Sequence, residues 1–347
     1  MNLKTSCLRM VDPGMTADNN ETKARFAFHI ILFSFNRAMQ CESVLRSIRL
    51  HVKSKNLTIS VVWRATGSHQ EGYALLRQLY EPDGVRFYEQ AGRVGFLRHV
   101  LPCLWRPRNL YHWVKFDFIR QADNFKPLLE QIIRDSAADF VSFNTDDNIY
   151  YRDESLPEFA FRQVREDPYS ASYRVRQGIN LADCSSNVCR ELEFLHWDYY
   201  DPTVQSSWAY PFSVDGQFYE RSALLSVIHR VLYHNPVTLE SYSLGYVRHQ
   251  RLFRCGYSPI YSSMMAVSLN KVSFIVPQNT RGNLSIGKLN ELFLAGYVLE
   301  YDLPEQFAAR ELIPKQVTAV RGNERLVIPV LTDPVPNHPV PSETKAE

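Results

Sequence analysis

The chain has 347 residues, of which 45% are hydrophobic and 22% charged, which is the composition of an ordinary soluble globular protein with a substantial core. Its net charge of +2 excludes the strongly basic class of nucleic-acid binders, and no nucleic acid is expected among its partners. No apolar run reaches the length of a transmembrane helix and the N-terminus has no signal-peptide core, so we expect a cytoplasmic protein that at most rests on the inner face of a membrane.

The first part of the chain leads into a buried strand. Residues 1–24 are polar and broken by proline and glycine, which predicts a flexible tail. Residues 26–35 form a near-continuous apolar run, typical of a strand that is covered on both faces, and Asn36 and Arg37 end it. The apolar residues that follow have helical spacing and predict one face of a helix: Cys41, Leu45, Ile48 and Val52.

Strands and helices then alternate along the chain. Residues 59–63 and 85–88 have the pattern of strands, residues 73–80 and 128–133 that of helices, and residues 140–143 that of a buried strand. This order predicts a parallel sheet with helices on its faces, a layout in which ligands bind outside the carboxyl ends of the strands.

Polar residues follow three of the predicted strands, at positions 36–37, 66–68 and 145–148, and we expect them to converge on one crevice. The last group contains two adjacent carboxylates, Asp146 and Asp147. Their repulsion and desolvation at the end of a buried strand favour a cation between them. Such oxygen ligands suit Mg²⁺ or Mn²⁺, whereas the alternative interpretation is an ordinary Asp-Asn turn.

The second half of the chain has fewer regular patterns. Residues 170–175 are a candidate strand, and the aromatic, turn-rich residues 208–219 precede a predicted helix. The apolar residues of that helix are Leu224, Leu225, Ile228, Val231 and Leu232. Residues 234–240 are predicted to close it, and a late helix that begins near Leu289 is predicted to end near Gly296.

The six cysteines are scattered, with neither a Cys-x-x-Cys pair nor zinc-type spacing to histidines. We therefore expect neither a zinc site nor a disulfide framework, which fits a reducing compartment.

A segment rich in arginine and tryptophan precedes the paired acids, with Arg98, Trp105, Arg106, Arg108 and Trp113. It is a candidate basic, aromatic face for a lipid-linked acceptor at a membrane surface. We favour the alternative, a solvated loop with two core tryptophans.

Five segments together resemble glycosyltransferases of the GT-A fold, the nucleotide-sugar-dependent type, and in particular bacterial members of cell-surface polysaccharide assembly. They are residues 34–37 after the first strand, residues 143–148 as a DxD-like element, and residues 208–216, 235–240 and 289–297. The resemblance extends over about residues 26–300.

The resemblance implies an α/β fold, with a Rossmann-type mixed sheet flanked by helices and a helical or irregular C-terminal acceptor part. It also implies a glycosyltransferase domain (25–300) with a nucleotide-sugar-binding half (25–150) and an acceptor half (151–300). Outside this domain we expect the flexible tail (1–24), a C-terminal extension (301–332) and, from its proline content, a disordered tail (333–347).

The implied activity is that of a hexosyltransferase-like enzyme, which transfers a sugar from a nucleoside-diphosphate donor to a glycan or lipid-linked acceptor in polysaccharide assembly. A divalent metal, Mn²⁺ or Mg²⁺, would offset the charge on the leaving diphosphate. One alternative is a nucleotidyltransferase that makes nucleotide sugars, but it needs a Gly-rich loop after the first strand, and residues 35–38 contain no glycine. A second is a non-catalytic glycan-binding or scaffold protein of the same fold, which only Asn148 favours.

The resemblance also implies roles for single residues. The nucleotide of the donor would contact Ser34, Asn36, Arg37 and Asp146, and the metal would be held by Asp147 together with Asp146. The third place of the DxD-like element is an amide, Asn148, where the usual motif has an acid. Either Asp147 holds the metal directly, which we favour, or the site binds metal weakly. An acid at position 148 is expected to leave metal binding unaltered or tighter.

The acceptor hydroxyl needs a base if the reaction inverts the anomeric centre. Asp215, in a Gly-flanked aromatic loop, is the first candidate and Glu240 the second. The alternatives are an ordinary turn at Asp215 and a helix start at Glu240. Trp208 and Tyr210 are candidates for stacking on the acceptor sugar, with a place in the core as the alternative.

Overall fold

The computed structural model describes residues 26–91, 124–181, 184, 187–191, 193–269, 284–301, 311–312 and 314–330. The two predicted tails and the arginine- and tryptophan-rich segment at 98–113 lie outside these residues.

Nine strands of the described residues form one large sheet, in the order β3-β2-β1-β4-β9-β6-β10-β8-β7. They are β1 (Phe28–Phe35), β2 (Leu57–Arg64), β3 (Arg86–Glu89), β4 (Phe140–Thr145), β6 (Ala171–Arg174), β7 (Cys189–Arg190), β8 (Phe194–Asp198), β9 (Gln217–Glu220) and β10 (Cys255–Pro259). Two three-stranded sheets comprise β5 (Asn148–Tyr150), β11 (Met264–Val267) and β13 (Glu311–Leu312), and β12 (Val298–Glu300), β14 (Gln316–Arg321) and β15 (Glu324–Pro329).

The helices of the described residues are α1 (Ala38–His51), α2 (His69–Tyr80), α3 (Phe125–Arg134), α4 (Glu158–Glu166), α5 (Arg221–His229), α6 (Pro236–Gln250) and α7 (Ile286–Leu294). A short 3₁₀ helix spans Ser206–Ala209. None of the helices in the described ranges combines the length and the apolar character that crossing a membrane requires.

The parallel half of the large sheet confirms the predicted order of strands and helices. Strands β1, β2 and β3 follow each other toward one edge, and β4 pairs with the other side of β1. The direction of the strand order therefore reverses between β1 and β4. In open α/β sheets, ligands bind outside the carboxyl ends of the strands at such a reversal.

The apolar run of β1 is continuous because helices cover both faces of the sheet. Ile30 and Leu32 belong to a core with α1, α2, α4 and α7, whereas Ile31 and Phe33 belong to a core with α3, α5 and α6. Successive side chains of a strand point to opposite faces, so both sets must be apolar. This buried strand fixes the position of the polar residues at its end.

The second half of the chain adds more strands than the sequence predicted. Strand β9 is antiparallel to β4, β6 is antiparallel to β9, and β10 and β8 extend the sheet further. Strand β10 contains glycine and proline, which are depleted in strands, so its propensity is weak. Its Gly256 lies against Trp197, where a Cβ would come within 2.4 Å of the indole ring. Tertiary packing, rather than local sequence, thus selects this strand.

The predicted end of the helix that follows β9 is wrong. Helix α5 ends at His229, and residues 234–240 do not close it, because Asn235 begins a new helix, α6. The Asn235 side chain accepts a hydrogen bond from the Thr238 backbone N–H at 2.8 Å, in a capping box with Pro236 at the first helical position. Asn-Pro is a helix-start signal of this kind.

Residues beyond 300 share the core of the first half. Strand β14 pairs with β12, and its Val317 and Ala319 are buried against the core that contains α1 and α2. Cys41 and Cys189 carry reduced thiols, whereas Cys255 is disulfide-bonded. The predicted domain boundaries stay predictions.

Candidate functional site

The ends of β1 and β4 are joined by polar side chains at the reversal of the strand order. Ser34 Oγ donates to Asp146 Oδ2 at 2.8 Å, and the Phe35 backbone N–H lies 3.4 Å from the same oxygen. Arg37 Nη1 lies 3.0 Å from Asp146 Oδ1, and this ion pair is largely buried, with side-chain exposures of 11% and 8%. Both oxygens of Asp146 are therefore hydrogen-bonded, and Arg37 is held at the carboxyl end of β1.

Two neighbouring residues order the loop after β1. Tyr73 Oη lies 2.5 Å from Ser34 Oγ and accepts from the Arg37 backbone N–H at 3.2 Å. Asn36 has a positive φ of 57° and bridges to the next strand end, since its Oδ1 accepts from the Thr66 backbone N–H at 2.8 Å. The predicted convergence of the three polar loops is confirmed by these contacts.

The second acid of the pair, Asp147, differs from Asp146 in its surroundings. Its Oδ1 accepts a hydrogen bond from Thr145 Oγ1 at 2.6 Å, and its backbone carbonyl accepts from the Val267 N–H at 2.7 Å. Burial raises the pKa of Asp147, and the negative charges of Asp146 and Asp215 add to the rise. The side chain is nevertheless partly exposed, and none of the described residues donates a hydrogen bond to Oδ2.

Asp215 lies in the loop before β9, within hydrogen-bonding distance of Thr145 and Asn148. Its Oδ1 accepts from Asn148 Nδ2 at 2.8 Å, and its Oδ2 forms an ion pair with Arg176 Nη1 at 2.6 Å. Burial alone would raise the pKa of Asp215, but the Arg176 guanidinium and the Asn148 hydrogen bond hold it below its ordinary value. A carboxylate with so low a proton affinity is a weak base.

Glu240, in the first turns of α6, has the opposite character. Its Oε1 accepts from Ser213 Oγ at 2.9 Å and from the Val214 N–H at 3.1 Å. Burial, with the nearby negative charge of Asp215, raises the pKa of Glu240 from 4.5 to about 7. A pKa near the working pH is the one that suits a general base.

The two aromatic residues assigned to the acceptor occupy different places. Trp208 has 0% exposure and packs edge-on against Trp197, with ring centroids 4.8 Å apart. A wholly buried ring offers no face to a sugar, so this geometry does not favour stacking by Trp208. Tyr210 is half-buried and lies under the guanidinium groups of Arg174 and Arg248, at 5.9 and 5.6 Å from the ring centroid.

The residues present fit a hard cation that is completed by a phosphate ligand. Among the described residues, no three His, Cys, Asp or Glu side chains are grouped so as to hold a metal alone. Asp147 Oδ2 is the open carboxylate oxygen, and Asn148 Oδ1 is a buried oxygen without a hydrogen-bond partner in the described part of the chain. Mg²⁺ and similar ions usually combine one or two carboxylates with substrate phosphates and water.

Three residues of the site were not assigned by sequence reasoning: Tyr73, Thr145 and Arg176. Thr145 carried a signal, because it opens the polar run after β4. Tyr73 looked like one more apolar residue of α2, and Arg176 stood alone after a short strand. Only the fold brings their polar groups to the strand ends.

Gly216 fixes the direction of the loop that carries Asp215. Its φ is +64°, and a Cβ there would lie 2.4 Å from Met264 Cε and 2.7 Å from Val175 Cγ2. We expect Gly216→Ala to lower the free energy of unfolding by about 2 kcal/mol or more, from left-handed strain and overpacking together.

Thermal unfolding checks this prediction, with Gly322→Ala as the matched control. Gly322 has a φ of +57°, but a Cβ added there would meet no atom within 4 Å, so its substitution adds backbone strain without a clash. Equal destabilisation by the two substitutions would contradict the packing role of Gly216.

Comparison with known proteins gives likenesses in fold alone. No protein family model matches the chain, and no curated protein matches its sequence. Similar solved structures include S. aureus TarS 1–349, with 14% identity, a TM-score of 0.42, and coverage of 70% of this chain and 60% of that one. The same protein with UDP has 13% identity, a TM-score of 0.40, and coverage of 69% and 59%.

A third similar structure is the mannosyltransferase PcManGT from Pyrobaculum calidifontis in complex with GDP-Man and Mn²⁺. It has 13% identity, a TM-score of 0.27, and coverage of 43% of this chain and 35% of that one. The chain thus spans 35% to 60% of the length of these proteins. The fold of the chain is α/β, with a mixed sheet flanked by helices, as the resemblance to GT-A glycosyltransferases implied.

Proposed function

We propose that the protein is a nucleotide-sugar-dependent glycosyltransferase, with its donor diphosphate outside the carboxyl ends of β1 and β4. One observation carries the proposal. At the reversal of the strand order, Arg37 is a buried cation and Asp147 is a carboxylate with an open oxygen. Glu240, an acid with a pKa near neutrality, contacts the loop that carries Asp215.

The donor side is built from the ends of the parallel strands. Ser34, Asn36 and Arg37 line the end of β1, and Arg37 is a fixed positive charge for a diphosphate. A divalent metal, Mn²⁺ or Mg²⁺, would be held by Asp147, since both oxygens of Asp146 are already hydrogen-bonded. When bound, it would offset the negative charge on the departing diphosphate.

Of the two candidate bases, Asp215 and Glu240, the structure favours Glu240. The ion pair with Arg176 commits Asp215 to the charged, weakly basic state. Within the described part of the chain, Ser213 and Val214 donate hydrogen bonds to one oxygen of Glu240, Oε1. The raised pKa of Glu240 makes proton uptake near pH 7 favourable. In an inverting reaction, its carboxylate would take the proton of the attacking hydroxyl.

The finer parts of the function belong to the same proposal. The sugar would be a hexose, and the acceptor a glycan or lipid-linked molecule in polysaccharide assembly. Of the two candidates for stacking, Tyr210 keeps exposed surface whereas Trp208 is wholly buried, and we assign the stacking role to Tyr210. A cytoplasmic location with peripheral membrane contact fits such an acceptor.

Calorimetry with nucleoside diphosphates tests the proposal. We expect UDP or GDP to bind the wild-type chain more tightly with Mn²⁺ than without it, because a metal held by Asp147 would offset the negative charge of the diphosphate. The wild-type chain should also hydrolyse the matching nucleotide sugar slowly and release the nucleoside diphosphate. Absence of binding by both nucleotides in saturating Mn²⁺ would refute the assignment of a donor site to this crevice.

A further inference from the structure

The open carboxylate of Asp147 stands at the end of a chain of hydrogen bonds that crosses three segments of the sequence. Arg176 Nη1 contacts Asp215 Oδ2 at 2.6 Å, and Asn148 Nδ2 contacts Asp215 Oδ1 at 2.8 Å. Asn148 Nδ2 also lies 2.6 Å from Thr145 Oγ1, which in turn lies 2.6 Å from Asp147 Oδ1. We call these five residues the Asp147 network.

The number of N–H and O–H donors in the network determines which atom donates in each hydrogen bond. The Asn148 amide has two N–H groups, and they serve Asp215 Oδ1 and Thr145 Oγ1. Thr145 has a single hydroxyl proton, and of its two carboxylate neighbours Asp147 is closer, at 2.6 Å against 3.1 Å for Asp215. The side-chain donors of Asn148 and Thr145 are thus all used, and the last hydrogen bond ends on Asp147.

The amide at position 148 is required by this arrangement. A carboxylate there has no N–H group for Asp215 or Thr145, and it would place a negative charge 2.8 Å from Asp215 Oδ1. The Thr145 hydroxyl would then donate to the new carboxylate and no longer to Asp147. The amide of Asn148 therefore has a role of its own in the DxD-like element. Its two N–H groups allow Asp147 and Asp215 to lie close to each other as carboxylates.

We propose that the Asp147 network positions the Asp147 carboxylate, so that its second oxygen is presented to the diphosphate and its cation. Asn148, Asp215 and Arg176 are positioning residues in this sense, and Asp215 has this role in place of the catalytic one. The inference rests on the proposed function, because it assigns the diphosphate to Asp147. It reverses the expectation that an acid at position 148 leaves metal binding unaltered or tighter.

The first experiment measures the contribution of the Asp147 network to thermal stability, in the absence of any ligand. We expect Asn148→Asp and Asp215→Asn each to lower the Tm. The decrease in Tm of the double variant should be smaller than the sum of the two single decreases. In the double variant, the amide at position 215 can accept a hydrogen bond from Arg176 and donate one to the carboxylate at position 148. An acid and an amide then face each other again, with their positions exchanged. Strict additivity of the two Tm shifts would overturn the network.

The second experiment measures the gain in UDP or GDP affinity on adding Mn²⁺, by calorimetry. We expect Asn148→Asp to reduce this gain by about 10- to 100-fold, the usual effect of removing a hydrogen-bond partner of a metal ligand. The added negative charge also weakens diphosphate binding without the metal, so the ratio of the affinities with and without Mn²⁺ is the quantity that reports on the metal. The exposed Asp153, with 64% side-chain exposure, offers a matched control, and Asp153→Asn should change neither measurement.

The double variant separates positioning from mere folding. Its Tm should recover, but its Mn²⁺ gain should stay low, because the Thr145 hydroxyl still donates to the carboxylate at position 148. Recovery of both quantities together would overturn the positioning role, as would a normal Mn²⁺ gain in Asn148→Asp. If the wild-type chain binds neither nucleotide, the proposed function fails and the ligand assigned to the network fails with it, whereas the thermal cycle reports on the network alone.

Discussion

Glu240→Gln is expected to lower the rate of sugar transfer by about 10²- to 10⁴-fold, the usual contribution of a general base. The substitution keeps the shape of the side chain, and its remaining carbonyl oxygen can accept the hydrogen bonds from Ser213 and Val214. Affinity for the nucleoside diphosphate should therefore be unchanged. Steady-state rates and calorimetry on the same preparation measure the two quantities separately.

The pH dependence of the wild type follows from the same residue. Burial raises the pKa of Glu240 to about 7, and only the deprotonated carboxylate can accept a proton. The transfer rate should rise with pH through about 7 and then level off, and Glu240→Gln should lack this rise. A variant that keeps a normal rate, or a wild-type rate that is flat across neutrality, would exclude Glu240 as the base.

The raised pKa also has a consequence for stability. The folded protein holds the Glu240 proton more tightly than the unfolded chain, so this contribution to stability is fully present below about pH 4.5 and is lost as the pH rises through about 7. Glu240→Gln has no such proton to lose. Above pH 7 the variant should have a higher Tm than the wild type, and near pH 4.5 the difference should vanish.

A matched control for this prediction is Glu291→Gln, since Glu291 has 71% side-chain exposure. Its substitution should change neither the rate nor the pH dependence of the Tm. A gain in Tm above pH 7 that is as large for Glu291→Gln would show that overall charge, and not burial of Glu240, is the cause.

Asp147→Asn is expected to remove the effect of Mn²⁺ on nucleotide binding and to lower the transfer rate by about 10³-fold or more. A catalytic metal supplies several kcal/mol of charge stabilisation, and each 1.4 kcal/mol or so is a factor of ten in rate. The amide keeps an oxygen for the Thr145 hydroxyl, so the fold around it should persist.

Nucleotide titrations with and without Mn²⁺ check this prediction, with Asp153→Asn again as the control of equal charge change. Affinity without the metal should be unchanged in Asp153→Asn and should not fall in Asp147→Asn, because that substitution removes a negative charge beside the diphosphate. A Mn²⁺ effect of normal size in Asp147→Asn would remove this residue as a ligand and would mean that other groups hold the metal.

The strongest sequence signals were those of buried, periodic segments. The apolar run of β1 and the helical spacing from Cys41 to Val52 predicted a strand and a helix that the structure contains. Strands β8 and β10 were not predicted because both are only five residues long and β10 contains glycine and proline. Trp197 of β8 packs against Gly256 of β10. Propensity is weakest where packing supplies most of the stabilisation.

The sequence by itself determined the parallel sheet and the strand ends at which Ser34, Arg37, Asp146 and Asp147 stand, because hydrophobic periodicity is local and survives in a single chain. Only the tertiary structure decided how the acids differ. Arg37 pairs with Asp146, Arg176 pairs with Asp215 and lowers its pKa, and burial raises the pKa of Glu240 to about 7. Proton affinity depends on charges and burial contributed by distant segments, and these meet only when the chain folds.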